Sequence, residues 1–186
     1  MNQSPLNKNR NDKFILVLNL PDIIKEINDN ITRNNNRVNS DSLEGIRANF
    51  LTYDINGLCK FEKILIYSVL HCLTDEKSIY SFVDKALSLL NESGMLLLGD
   101  IPNTTLKNSF SKSSNGKKFI RQWEKRVAND SSIAFDQHVH SYEFNDESIF
   151  ELVQHIKAKG YKAYVVPQPS DLPFGNTRED IIVSTF

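Results

Sequence analysis

The sequence predicts an α/β domain, a mainly parallel sheet flanked by helices. Three observations predict it. Short, mostly apolar runs at Phe14-Ile-Leu-Val-Leu18, Lys63-Ile-Leu-Ile-Tyr67 and Met95-Leu-Leu-Leu98 suit strands buried on both faces. Between the last two, Ile79, Phe82, Val83, Ala86 and Leu90 form one apolar stripe at helical spacing. Strand, crossover helix, strand is the βαβ unit, and it joins parallel neighbours.

Taken in order, Met1 to Asp12 is polar and asparagine-rich and is expected to be disordered, with the domain running from residue 13 to residue 186. After the first strand, Pro21 suits the first position of a helix that carries Ile23, Ile24 and Ile27. Asn28 to Ser42 reads as an exposed loop, and Ile46 to Tyr53 as a less regular strand ending at Asp54 and Gly57. Thr74 is placed to cap the crossover helix, with Asp75 and Glu76 at the positive end of its dipole. Asn108 to Lys118 reads as a Ser/Asn/Lys loop before a helix with Phe119, Trp123 and Val127. His138 to Tyr142 alternates like a strand. Asn145 can cap a helix with Ile149, Phe150, Leu152, Val153 and Ile156 inward, stopping at Gly160. Tyr161 to Val166 and Asp180 to Phe186 are the final strands, separated by a proline-rich turn.

The 186 residues suit one domain, and a net charge of -1 gives no reason to expect nucleic acid or an anionic membrane as partner. Lys117, Lys118, Arg121, Lys125 and Arg126 make one basic patch, read as a solvated helix face. Cys59 and Cys72 lack disulfide or metal-ligand spacing and read as plain thiols. With no secretory signal and no apolar run of membrane-spanning length, a cytoplasmic location is expected.

Phe61-Glu-Lys-Ile-Leu-Ile-Tyr-Ser-Val-Leu-His-Cys-Leu73, Ala86-Leu-Ser-Leu-Leu90 and Gly94-Met-Leu-Leu-Leu-Gly-Asp-Ile-Pro-Asn103 resemble the class I S-adenosylmethionine-dependent methyltransferases. The first matches that family's fourth strand with its exit, the last its fifth strand. Pro167-Gln168, Leu172-Pro-Phe-Gly175 and Thr177-Arg-Glu-Asp180 resemble a bacterial subgroup. The likeness implies a Rossmann-like sheet with an antiparallel last strand, S-adenosylmethionine as cofactor and a small-molecule acceptor such as a sugar.

The departure from the family concerns its glycine-rich loop, where small residues let backbone amides approach the cofactor. The first glycine in this chain is Gly45, and no two glycines are separated by a single residue. Phe14 to Leu18 therefore matches the family's second strand better than its first. Asn19 then stands where an acidic residue usually holds the ribose, and a neutral amide makes a weaker bond than a charged acceptor. The family's first strand lies between its second and fourth, so its loss would split the sheet or force a new pairing. Either the chain is truncated, or another segment or a second copy, as in a homodimer, covers that edge. If Phe14 to Leu18 is instead the first strand, the site is degenerate rather than absent.

By resemblance, Asn49 and Phe50 stand where the third strand meets adenine. Tyr67 and Ser68 leave the fourth strand at its carboxyl end, the edge where open α/β sheets bind ligands. His71 just beyond, and Asp100 at the end of the fifth strand, are the catalytic candidates, although His71 among apolar neighbours also fits a structural role. Asn103, Trp123, His138 and His140 are substrate-binding candidates; Asp136, His138 and His140 share a strand face but lack a further cluster for a metal. The leading expectation is a methyltransferase-like protein with impaired or absent cofactor binding. A non-catalytic binding or assembly module is the alternative. An esterase is disfavoured, because Ile101 follows Gly99-Asp100 and no nucleophile elbow exists.

Overall fold

A computed structural model describes residues 14–18, 49–129, 142–172 and 174–186. Its elements are β1 (Phe14–Leu18), β2 (Phe61–Tyr67), a 3-10 turn (Leu70–Cys72), α1 (Glu76–Ser88), β3 (Leu90–Pro102), α2 (Thr104–Lys112), α3 (Ser114–Asn129), α4 (Asp146–Ala158), β4 (Lys162–Pro167) and β5 (Arg178–Ser184). The five strands form one sheet in the order β1-β2-β3-β5-β4. β1, β2 and β3 are parallel neighbours, as the βαβ reading requires. β5 runs antiparallel to both β3 and β4, so the antiparallel last strand is present.

Alternation along the strands shows which face is covered. Ile64 and Ile66 of β2, Leu96 and Leu98 of β3, and Ile181 and Val183 of β5 are all buried. They form one core with Ile79, Phe82, Val83 and Ala86 of α1 and Ile149, Leu152, Val153 and Ile156 of α4. Burying each such side chain stabilises the fold by about 1.5–3 kcal/mol. The two helices are also tied to each other. His155 Nε2 lies 2.7 Å and Lys159 Nζ 2.9 Å from the Asp84 carboxylate, and the His155 ring stacks on Tyr80 at 4.5 Å.

Several local expectations are corrected. Asp75, not Thr74, caps α1; its carboxylate accepts from the Ser78 amide at 2.8 Å, while the Thr74 hydroxyl only reaches Asp75. Leu90 opens β3 rather than closing α1. Residues 49–53 turn instead of extending, because the Asn49 side chain accepts the Leu51 amide at 3.0 Å and its carbonyl accepts Tyr53 N–H at 2.8 Å. The loop expected over Asn108–Lys118 is helical, broken only at Ser113, whose hydroxyl accepts Gly116 N–H at 3.0 Å. Phe150 faces solvent at 62% exposure, since Ile149, Leu152, Val153 and Ile156 already complete the inner stripe of α4. That helix begins with a capping box between Asn145 and Ser148, and Gly160 follows it at φ 88°.

The pairing of β1 with β2 is the one that the family's first strand makes with its fourth, so it fits the alternative in which Phe14 to Leu18 is that first strand as well as a new pairing forced by its loss. No split separates β1 from β2, and Phe14–Leu18 pairs directly, in parallel, with Lys63–Tyr67. The polar N-terminus, the helix expected after Pro21, the Asn28–Ser42 loop and the strand-like stretch around His138 lie outside the described residues, as do Asn19 and His140. Among the described residues no helix is long and apolar enough to cross a membrane.

Candidate functional site

The carboxyl ends of β2 and β3 carry the two non-glycine residues of the described chain with positive φ, Ser68 at 57° and Asp100 at 63°. Asp100 sits in a bulge. Leu98 pairs with Ile181 and Ile101 with Glu179, so Gly99 and Asp100 together oppose Asp180 alone. The extra residue turns Asp100 out of the ladder, and its amide donates to Asp180 Oδ1 at 2.9 Å. Ser68, one step beyond β2, donates its amide to the Gly99 carbonyl at 3.1 Å and its hydroxyl to Asp100 Oδ2.

That same carboxylate oxygen receives Arg178 Nη1, forming an ion pair whose side chains are 20% and 13% exposed. Arg178 reaches it because β5 is antiparallel, so its amino end lies beside the carboxyl end of β3 and Arg178 pairs with Pro102. Buried Gln168 adds a bond from Nε2 to Asp180 Oδ1 at 2.8 Å. Burial pushes the Tyr67 phenol above its ordinary pKa, and the Asp100 and Asp180 carboxylates push the same way, against a Gln168 hydrogen bond and the Arg178 charge. At neutral pH Tyr67 therefore carries its proton. Its ring lies over Gly99, where an added Cβ would stand 2.6 Å from Tyr67 Cδ2.

Beside this polar edge stands an aromatic row. The Arg178 guanidinium lies 4.9 Å over the Phe174 ring, Phe174 meets Trp123 edge-on at 5.9 Å, and Trp123 stacks on Phe119 at 6.4 Å. Phe110 of α2 closes the row against Phe119 at 6.0 Å.

The structure thus joins Ser68 and Asp100 directly, sets Tyr67 beside them, and connects Trp123 to them through Phe174 and Arg178. It places the other candidates differently. Asn49 makes the turn before β2, and Phe50 packs at 4.7 Å on Phe82 of α1. His71 lies in the 3-10 turn after β2, half-buried. Asn103 is 1% exposed and fully engaged. Its Oδ1 caps α2 through the Thr105 and Leu106 amides, and its Nδ2 donates to Asp146 at 2.7 Å and Glu179 at 2.8 Å. Sequence reading placed Gln168, Phe174, Arg178 and Asp180 in the resemblance to a bacterial subgroup but not at the site. The signal was available for two of them, since an antiparallel last strand brings its first residues to the edge where parallel strands end.

No protein-family model and no curated protein matches this chain. Solved structures do. An O-methyltransferase family protein from Burkholderia thailandensis aligns with 92% of this chain and 43% of its own length, at TM-score 0.55 and 12% identity. The methyltransferase domain of bacterial CtHen1-C aligns with 92% of this chain and 76% of its own, at TM-score 0.54 and 11% identity. Magnesium protoporphyrin IX methyltransferase from Synechocystis PCC 6803, solved with bound SAH, aligns with 88% of this chain and 59% of its own, at TM-score 0.51 and 10% identity. This chain has the Rossmann-like methyltransferase fold. At such identities the likeness is one of fold. The chain spans 59% of the Synechocystis enzyme and 41% of mitomycin 7-O-methyltransferase.

Such a fold implies S-adenosylmethionine, so the described edge can be tested for a fit. Among the described residues its polar groups bond one another, and residues 19–48, which follow β1, lie outside the described residues. The Ser68 amide and hydroxyl, the Asp100 amide, one Asp100 oxygen and Asp180 Oδ1 all bond within the chain. The Tyr67 ring packs directly against Gly99. Among the described residues no cluster of His, Cys, Asp and Glu could hold a metal ion either.

Proposed function

We infer that this chain is a methyltransferase-type protein acting on a small molecule, with a weakened hold on S-adenosylmethionine. The observation that carries the reading is the sheet itself, parallel through β1, β2 and β3 with β5 inserted antiparallel before β4, ending in a polar edge at Ser68 and Asp100. The weakening is supported twice. β1 pairs with the strand that resembles the family's fourth, the place of its first strand, yet Asn19-Leu-Pro-Asp22 follows and no glycine occurs before Gly45. The polar groups of the edge, moreover, bond one another. No transfer step is therefore assigned to His71 or Asp100. The small-molecule acceptor rests on the resemblance of Pro167 to Asp180 to a bacterial subgroup.

The closure of the edge on itself also favours a second reading, a non-catalytic binding or assembly module on the same sheet. Calorimetric titration of the full chain with S-adenosylmethionine and S-adenosylhomocysteine separates the two. Weakened binding predicts saturable heat with a Kd of roughly 0.1–1 mM, or about -5.5 to -4 kcal/mol. Silence up to several millimolar cofactor would leave the module. A Kd of a few micromolar would refute the weakening and restore an ordinary enzyme.

A further inference from the structure

The chain is nearly neutral overall, but its charge is not evenly spread. Residues 104–129, which form α2 and α3, hold seven Lys and Arg side chains and a single carboxylate, Glu124. They carry a net charge of +6 in a chain whose formal charge is -1, which leaves -7 on everything else. Lys117, Lys118, Arg121, Lys125 and Arg126 of α3 are all exposed, and none of them pairs with a carboxylate among the described residues.

Lys117, Arg121 and Lys125 recur every fourth residue, which sets one cation on each turn about 6 Å from the next. Like charges at this spacing oppose helix formation. An isolated solvated helix would gain from alternating signs. A row of one sign is relieved by an anionic partner with repeated charges. Lys117, Ile120, Arg121 and Glu124 line a shallow surface depression within this row.

Basic amphipathic helices also bind membranes, but they do so by burying their apolar side in the bilayer. Here Phe119 and Trp123 are already engaged, by Phe110 of α2 and Phe174 of the β4–β5 loop. Ile120, 38% exposed, is the one large apolar side chain on the outer face, which otherwise offers charge, and that suits a phosphate backbone. One row along one helix fits one strand better than the two backbones of a duplex groove.

We propose that the outer face of α3 is a docking surface for the backbone of a single-stranded nucleic acid. It replaces the reading of this patch as a solvated face and does not depend on the chain's methyl-transfer chemistry. The same helix carries Trp123 to Phe174 and thence to Arg178 and Asp100, so a docked strand passes along the outside of the candidate site.

The test is fluorescence anisotropy of a labelled 15-nucleotide single-stranded RNA with the full chain. Contact with three phosphates predicts a slope of about -2 in log K against log salt, hence roughly 20-fold weaker binding at 200 mM than at 50 mM. Lys117→Glu, Arg121→Glu and Lys125→Glu together should weaken binding more than tenfold, while Lys162→Glu on the distant β4 leaves it unchanged. Should the triple Glu variant fail to fold, the corresponding triple Gln variant should still weaken binding several-fold. The proposal fails if no binding is seen at 100 μM protein and 50 mM salt, or if a folded triple variant binds as the parent does. It fails equally if polyglutamate or phosphatidylglycerol vesicles bind at least as tightly as the RNA. Cofactor calorimetry reads the methyl-transfer question separately.

Discussion

The Ser68 hydroxyl donates to the Asp100 carboxylate, joining the two non-glycine residues of the described chain that hold left-handed backbone conformations. Such a conformation costs an L-residue roughly 1–2 kcal/mol, and here it is held by the bulge, the Ser68 bond and the Arg178 ion pair. Asp100→Ala removes both partners while keeping the strain, and should lower stability by about 2–3 kcal/mol. Asp100→Gly loses the same partners but relaxes the backbone, and should be more stable than the alanine variant by about 1 kcal/mol. Urea denaturation of the two variants reads the difference. Equal midpoints would mean that the backbone at residue 100 is not strained.

Gly99 and Tyr67 form a second coupled pair, because a Cβ at residue 99 would stand 2.6 Å from the Tyr67 ring. Gly99→Ala should therefore cost about 1–3 kcal/mol in the parent, as overpacking does. In a Tyr67→Ala background the ring is gone and the added methyl finds space, so the same change should cost far less. A coupling above about 0.5 kcal/mol in the double-mutant cycle is expected. Strict additivity would place the ring elsewhere.

Asp84 links α1 to α4 and gives the fold an acid limit. Burial pushes its carboxyl up, but hydrogen bonds from Lys159 and His155, with their charges, bring it below the usual carboxylate range. A carboxyl depressed in the folded state contributes stability above its unfolded pKa, and that contribution is lost as pH falls through the folded value. The parent should lose more stability between pH 5 and pH 3 than Asp84→Asn, which has no such group to protonate. Chemical denaturation at the two pH values measures this, and parallel losses would exclude Asp84 as the linkage group.

Tyr80, stacked on His155, sets a limit at the alkaline end. Burial, with the hydrogen bond and charge of Glu76 and the charges of Glu151 and Tyr142, pushes its phenol up to about 12. A group raised in the folded state stabilises the fold below its unfolded pKa near 10, an advantage lost as pH rises through about 12. Titration of phenolate absorbance should show a tyrosine still protonated near pH 11, and Tyr80→Phe should remove that late component. A late component that persists in Tyr80→Phe would assign it to another ring.

The sheet was legible where apolar runs are long enough to fix both period and burial. Ile64 and Ile66, the stripe of Ile79, Phe82, Val83 and Ala86, and Leu96 and Leu98 are all core residues. α2 was not, because Ser, Asn and Gly over residues 108–118 have weak helix preference and local sequence favours a loop. Tertiary contacts override that preference. Gly116 approaches the Phe110 carbonyl so closely that a Cβ would lie 1.8 Å from its oxygen, and the Phe110 and Phe119 rings meet across the junction. Within the candidate site, Ser68 and Asp100 followed from the rule that ligands gather at the carboxyl ends of parallel strands. The partners of Asp100, Arg178 and Asp180, lie 78 and 80 residues further along, and no local pattern announces a bulge that trades a ladder bond for Asp180.

Asn103, at that edge, is held by bonds of the fold itself. Its amide meets two opposite demands, since Oδ1 accepts the first amides of α2 while Nδ2 donates to the carboxylates of Asp146 and Glu179. Asn103→Ala removes the cap and strips both carboxylates of a buried donor, so it should cost about 2–4 kcal/mol. Asn103→Asp keeps the acceptor for the helix but sets a third carboxylate against the other two. At neutral pH it should be at least as destabilising as alanine, and it should regain stability relative to the parent as the pH is lowered toward 4 and one carboxyl takes a proton to act as donor. A substrate-binding role would instead leave stability near that of the parent in both variants. Urea midpoints at pH 7 and pH 4.5 therefore distinguish a capping residue from a ligand contact.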